Sequence, residues 1–236
     1  MDPSTNIGSP AQHEAHATRS RLALDREERM VKDGILRMGS LVEAQIRGGV
    51  ACLVDRDLSR AEAIITGDAA VNDAQREVTD TIATTIATQA PVARDLRFLL
   101  ALNHVAFELE RMGDHASSIA KQTRWLVGTP TPPVGASIVS MGNVAADLVA
   151  GILRALIDVD DKQARDVAAR DDEIDHGYRR MFAEIIDAMR GDQRVIEGGT
   201  RLILAGHWIE RIGDRVTNIA EDIVYLATGQ VEDLNR

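Results

Sequence analysis

Glu110-Arg111-Met112-Gly113-Asp114, followed by Ile119-Ala120, returns one hundred positions later as Glu210-Arg211-Ile212-Gly213-Asp214, followed by Ile219-Ala220. Six of the eleven positions in this window are identical, so the chain contains an internal duplication. Upstream, Asp55, Asp57, Ala61, Asp68, Val71 and Asn72 match Asp158, Asp160, Ala164, Asp171, Ile174 and Asp175 at an offset of 103. Between the copies lies Gly128-Thr129-Pro130-Thr131-Pro132-Pro133, a stiff polar linker near the midpoint.

On both sides of that linker the apolar residues recur at three and four positions, the period of a helix. Val31, Ile35, Met38, Val42, Ile46, Gly49 and Leu53 form a first stripe. The Thr-rich run from Thr79 to Thr88 has strand-like composition, but Val78, Ile82 and Ile86 repeat every four, which predicts a second helix. Pro91, placed in the first turn of the next element, introduces Leu96, Leu99, Asn103, Ala106, Leu109, Met112, Ala116 and Ile119, a third helix ending near Trp125. Three more follow the linker: one from Ile138 to Val159, one carrying Ile174 to Met189, and one from about Val195 to Thr228. The expectation is an all-α fold of six helices, two tandem three-helix bundles with a pseudo-twofold relation. The predicted boundaries are a mobile tail over 1–27, a first repeat over 28–127, the linker over 128–135, a second repeat over 136–229 and a C-terminal tail over 230–236.

Composition agrees. The 236 residues are 44% apolar and only 3% aromatic, which suits helix-on-helix packing. A formal charge of -10 argues against binding a nucleic-acid backbone, which draws on a surplus of Lys and Arg. The single Cys52 excludes an internal disulfide and any Cys-rich zinc site. With no signal peptide at the start and no run of 18 uninterrupted apolar residues, a cytoplasmic location is expected and no membrane span.

Glu110 and Asp114 stand one helical turn apart, as do Glu210 and Asp214, so each repeat presents a two-carboxylate claw. A second pair on the preceding helix, Asp68 with Asn72 and Asp171 with Asp175, comes within reach if the helices pack as a hairpin. His207, Asn218 and Glu221 extend the second claw, whereas Phe107, Ser118 and Lys121 leave the first one poorer. Oxygen ligands with an imidazole suit divalent or trivalent ions, Mg, Mn, Fe or Zn. Like charges at this spacing destabilise a helix, so keeping them in two copies calls for a compensating cation or an Arg such as Arg94, Arg97, Arg111 or Arg211. Metal binding, an internal carboxylate-arginine network and a solvated surface are the three readings. Gly113 and Gly213 point to close helix approach, Arg111 and Arg211 to ion pairs between helices. His104, His115 and His176 have no repeated counterpart and read as tolerated helical histidines.

The duplicated Glu-Arg-x-Gly-Asp string, preceded by Ala93-Arg94-Asp95-Leu96-Arg97 and closing with Asn218-Ile219-Ala220-Glu221, resembles the PhoU family over roughly residues 28 to 229. The resemblance implies two three-helix bundles with metal clusters at the motifs matched by Glu110 and Asp114, and by Glu210 and Asp214. It further implies a cytoplasmic, non-enzymatic regulator linking the ATPase subunit of the phosphate ABC transporter to a sensor histidine kinase. Such a regulator restrains phosphate-starvation signalling, and meets the membrane only through its partners. Two copies are expected to pair as a homodimer. Against it stand a metal-free helical scaffold and a ferritin-like di-metal carboxylate enzyme. For the latter, Glu173 and His176 supply one Glu-x-x-His pair, but the matching position of the first half reads Ala70-Val71-Asn72-Asp73. No phosphate loop, Gly-x-Ser-x-Gly elbow or His-Glu-x-x-His motif is present.

Overall fold

The computed structural model describes the backbone of residues 10–234 and the side chains of residues 21–234. Helices α1 (Pro10–Asp55), α2 (Leu58–Gln89) and α3 (Ala93–Leu126) form the first unit. Helices α4 (Gly135–Asp158), α5 (Asp161–Ala168), α6 (Asp171–Gly191) and α7 (Ile196–Thr228) form the second. The expected fifth helix, carrying Ile174 to Met189, is α6, and a separate short helix α5 precedes it where the first unit has the continuous α2. Among the described residues there is no strand.

The duplication extends to the turns. Asp57 caps α2 by accepting a hydrogen bond from the Arg60 amide at 3.0 Å, and Asp160 caps α5 from the Gln163 amide at 2.9 Å. The residue before each cap, Arg56 or Val159, takes a left-handed backbone with φ of 55° or 51°. A β-branched Val in that region is costly, so the turn is held by the packing on either side.

α1 meets α4 and α3 meets α7, equivalent helices of the two units facing one another. A Cβ added to Gly39 would fall 1.9 Å from Leu153 Cδ1, and one added to Gly142 2.5 Å from Val50 Cγ2. These four residues are related by the offset of 103, so α1 and α4 cross by one contact made twice, as an approximate twofold demands. One apolar core runs through both units, from Val31 in α1 to Ile223 in α7. α4 is its most apolar member: its mean hydropathy of 1.6 and its length would suffice to cross a membrane. That qualifies the expectation of no spanning segment, although residues such as Ile138, Leu148, Ile152 and Leu156 spend their apolarity inside the bundle.

Two expectations need correction, the mobile tail and the place of Pro91, and the linker and the C-terminal tail prove to be docked on the bundle. The mobile tail is helical from Pro10, where Pro suits a first helical position and the following residues are rich in Ala, Arg, Leu and Glu. Leu24 is buried and Arg21 pairs with Asp95 of α3 at 2.6 Å; residues 1–9 lie outside the described part. Pro91 sits in the connection before α3, between Ala90 and Ala93, both with positive φ. The linker is docked: Val134 is buried, and Arg56 donates to Thr131 Oγ1 at 2.8 Å. The C-terminal tail is tied back as well, with Arg165 forked on Glu232 and the Leu234 amide donating to Glu221 at 2.9 Å.

Candidate functional site

α3 and α7 carry the two claws on one side, and the preceding helix of each unit closes over them. Asp68 of α2 comes to Glu110 and Asp114 of α3. Burial and the Asp114 charge push the Asp68 carboxyl up, and burial with Asp114 and Asp68 does the same to Glu110. In the second unit Asp171 of α6 faces Glu210 and Asp214 of α7, with Asp175 one turn along. Burial, then Asp175 and Asp214, push Asp171 up to about 7, and burial raises Asp214 against the pull of Arg211 and Arg215. The hairpin packing expected from sequence therefore assembles both sets.

The repeated glycine makes room for this. A Cβ on Gly213 would lie 1.9 Å from Asp171 Oδ1, and one on Gly113 3.4 Å from Asp68 Oδ1. Asp171 Oδ1 is buried without a hydrogen-bond partner among the described residues. In the first unit the same is true of Gln45 Oε1, an α1 side chain that reaches the Gly113 cradle and that sequence reasoning missed. Its counterpart at the offset of 103 is Leu148, so no repeat signal marked it.

Hard oxygen donors, orphaned buried oxygens and carboxyls raised first by burial and then by neighbouring carboxylates are the donor chemistry that suits a cation such as Mg, Mn, Fe or Zn. Among the described residues no three His, Cys, Asp or Glu side chains stand ready to hold an ion as they are. Their donors are otherwise engaged: His207 Nδ1 meets Glu210 Oε2 at 2.8 Å and Arg211 donates to Asp214 at 3.0 Å. Asn72 donates to Asp68 at 3.3 Å, and Lys121 lowers the Asp68 carboxyl by its charge.

Other expected ligands point elsewhere. Asn218 donates to Glu108 at 3.4 Å, and Glu221 accepts from the Leu234 amide. Arg111 and Arg211 pair within their own helices, with Glu108 at 3.5 Å and Asp214 at 3.0 Å, instead of between helices. Glu173 pairs with Arg170, and His176 Nδ1 bonds the Asp172 carbonyl, both on the exposed face of α6.

The seam between α3 and α7 holds a second polar group unmarked by the sequence motifs. Glu108, 2% exposed, pairs with Arg215 at 3.4 Å, Arg111 at 3.5 Å and His104 at 3.4 Å. His104 also meets Asp222 at 2.6 Å, a contact that with Glu108 raises its imidazole to about 10. His115 stacks on Trp208 with centroids 5.2 Å apart, and burial with Arg215 and Arg211 lowers it to about 4. Glu108 and Trp208 are repeat equivalents, as are His115 and Arg215. The same crossing is therefore filled by an ion pair on one side of the axis and by a ring stack on the other. Far from being merely tolerated, His104 and His115 bind the halves together. A single repeat-breaking Glu in the buried stripe was the only trace of this in the sequence.

The sequence profile described as "PhoU domain" matches residues 35–123 and 138–223, one match per unit. A phosphate-specific transport system accessory protein PhoU homolog of Clostridium acetobutylicum is 36% identical over 219 residues, covering 92% of this chain and 99% of that one. A second, from Rhizobium meliloti, is 34% identical over 208 residues, 88% of each chain. The crystal structure of PhoU from Pseudomonas aeruginosa superposes with a TM-score of 0.83 at 30% identity, covering 87% of this chain and 99% of that one.

Proposed function

The chain belongs to the PhoU family, and on that premise we propose that it is an accessory regulator of phosphate-specific transport. It acts by contact with the transporter ATPase subunit and with a sensor histidine kinase, restraining uptake and phosphate-starvation signalling when phosphate is plentiful. The observation that carries this is a likeness running through both repeats to accessory proteins of that system. Its surface suits the role: a charge of -10 steers association with basic patches on partner domains and sets which partner fits. A homodimer acting in the cytoplasm, meeting the membrane through these partners, completes the proposal.

Cation binding at the claws belongs to the same proposal. Glu210, Asp214, Asp171 and Asp175, with His207, would hold an ion in the second unit, and Glu110, Asp114 and Asp68, with Asn72, in the first. Positive charge there would cancel the carboxylate repulsion and tie α2 to α3 and α6 to α7. His207 gives the second unit a donor where the first has Phe107 and the repelling Lys121, so the second should hold the cation more tightly.

Deleting the gene should raise phosphate-starvation gene expression in phosphate-rich medium, and unchanged expression would overturn the regulator role. Asp214→Asn should lower the metal content of purified protein and shrink the metal-dependent rise in melting temperature, because an ion held only by the native state stabilises by mass action. The Arg211 contact to Asp214 favours a rival, a metal-free carboxylate-arginine network. Under that rival the substitution destabilises chelated and metal-loaded protein equally.

A further inference from the structure

The chain's excess of negative charge is interrupted at one end of the bundle by a cavity of about 200 Å³. Arg21, Glu28 and Lys32 of α1, Arg94, Asp95, Arg97 and Phe98 of α3, Val159 from the turn after α4 and Leu226 of α7 line it. Four cations face two carboxylates there. One carboxylate is spent, since Asp95 Oδ2 accepts from Arg21 at 2.6 Å. The other, Glu28, is pushed up by burial and by Asp95, while Arg21 and Lys32 pull it down by their charge. Among the described residues Arg94 and Arg97 have no ion-pair partner, and Lys32 lies over the Phe98 ring at 4.8 Å. Arg94 and Arg97 therefore converge on one small cavity without an ion pair, beside a Lys32 that acts on Glu28 by its charge.

We propose that this cavity binds the phosphate group of a small anion, either inorganic phosphate or a small phosphate monoester. Two guanidinium forks offer paired N–H donors matched to phosphate oxygens, and the ammonium adds a third charge. The size selects a small ligand, being below the range typical of sites for drug-sized molecules. Val159 and Leu226 belong to the second repeat and the cations to the first, so an anion seated there touches both halves. The site is separate from the claws and stands whether or not the regulatory proposal holds, since binding to the purified chain is independent of any gene-deletion phenotype.

The test is calorimetric titration of the full chain in chelator, which removes phosphate captured by metal at the claws. Inorganic phosphate, glycerol phosphate and chloride are titrated in turn at fixed ionic strength. Saturable binding of phosphate identifies the free ion, and binding of glycerol phosphate alone identifies an esterified group; either supports the site. Arg94→Gln with Arg97→Gln should weaken that binding at least tenfold. Both side chains are exposed, so circular dichroism should be unchanged. Arg190→Gln, on a distant surface, should bind as wild type. No saturable binding of either phosphate compound, binding matched by chloride, or binding that survives the double substitution would overturn the proposal.

Discussion

Glu108 and His115 solve opposite problems at one crossing. Glu108 is held ionised inside the seam by His104, Arg215 and Asn218, which offset a burial that on its own would neutralise it. His115 is kept neutral by burial and by the guanidinium groups around it. Its imidazole falls from an ordinary 6.5 to about 4, so between those values the unfolded chain binds a proton that the native one refuses. Stability is then full above about 6.5 and is lost as pH drops toward 4, by at most roughly 1.4 kcal/mol for each pH step crossed and by less where water screens the half-buried ring. His115→Phe keeps the ring against Trp208 and removes the titration. Thermal melts at pH 7.0 and 5.0 should show wild type losing several degrees on acidification and the variant losing less. An equal loss in both would place the acid sensitivity elsewhere.

Among the elements, the docked linker is the least expected from sequence. A Cβ on Gly198 of α7 would lie 2.2 Å from the Pro130 carbonyl oxygen, a backbone atom with little freedom to retreat. Gly198→Ala should therefore lower stability by about 1 to 3 kcal/mol through overpacking, against the roughly 1 kcal/mol that Ala ordinarily gains within a helix. Gly191, at the end of α6, has nothing within 4 Å of its added Cβ, so Gly191→Ala should be neutral or stabilising. Urea titration of the pair checks both signs. A Gly198→Ala variant as stable as wild type would mean that the linker is free to move off α7.

At the scale of the molecule, the two repeats share one core instead of owning two. Gly39 against Leu153, Gly142 against Val50, and Glu108 against Arg215 join halves that the sequence sets apart with a linker. Chelated protein should accordingly unfold in a single calorimetric transition whose van't Hoff and calorimetric enthalpies agree. Two resolved transitions would show that the units fold independently. Residues 1–127 alone should not reach a stable native state, because α1 and α3 would lose the apolar cover supplied by α4 and α7.

Periodicity determined the helices from Val31 onward, apart from the separate short α5, and duplication determined their grouping, because both depend on spacing along the chain, which sequence records directly. The claws at Glu110 with Asp114 and at Glu210 with Asp214 were legible for the same reason, since residues four apart share a helical face whatever surrounds them. Which neighbours meet that face was only half legible. Asp68 and Asp171 follow from hairpin packing, but Gln45 reaches in from α1, and Asn218 and Glu221 turn to Glu108 and to the C-terminal segment. Those outcomes, like the cavity that gathers Lys32, Arg94 and Arg97, depend on how whole helices cross. Crossing is set by the fit of side-chain volumes between residues distant in sequence, such as Gly39 and Leu153. Only the tertiary structure decides that fit, because a linear pattern carries the period of each helix and not its rotation against another.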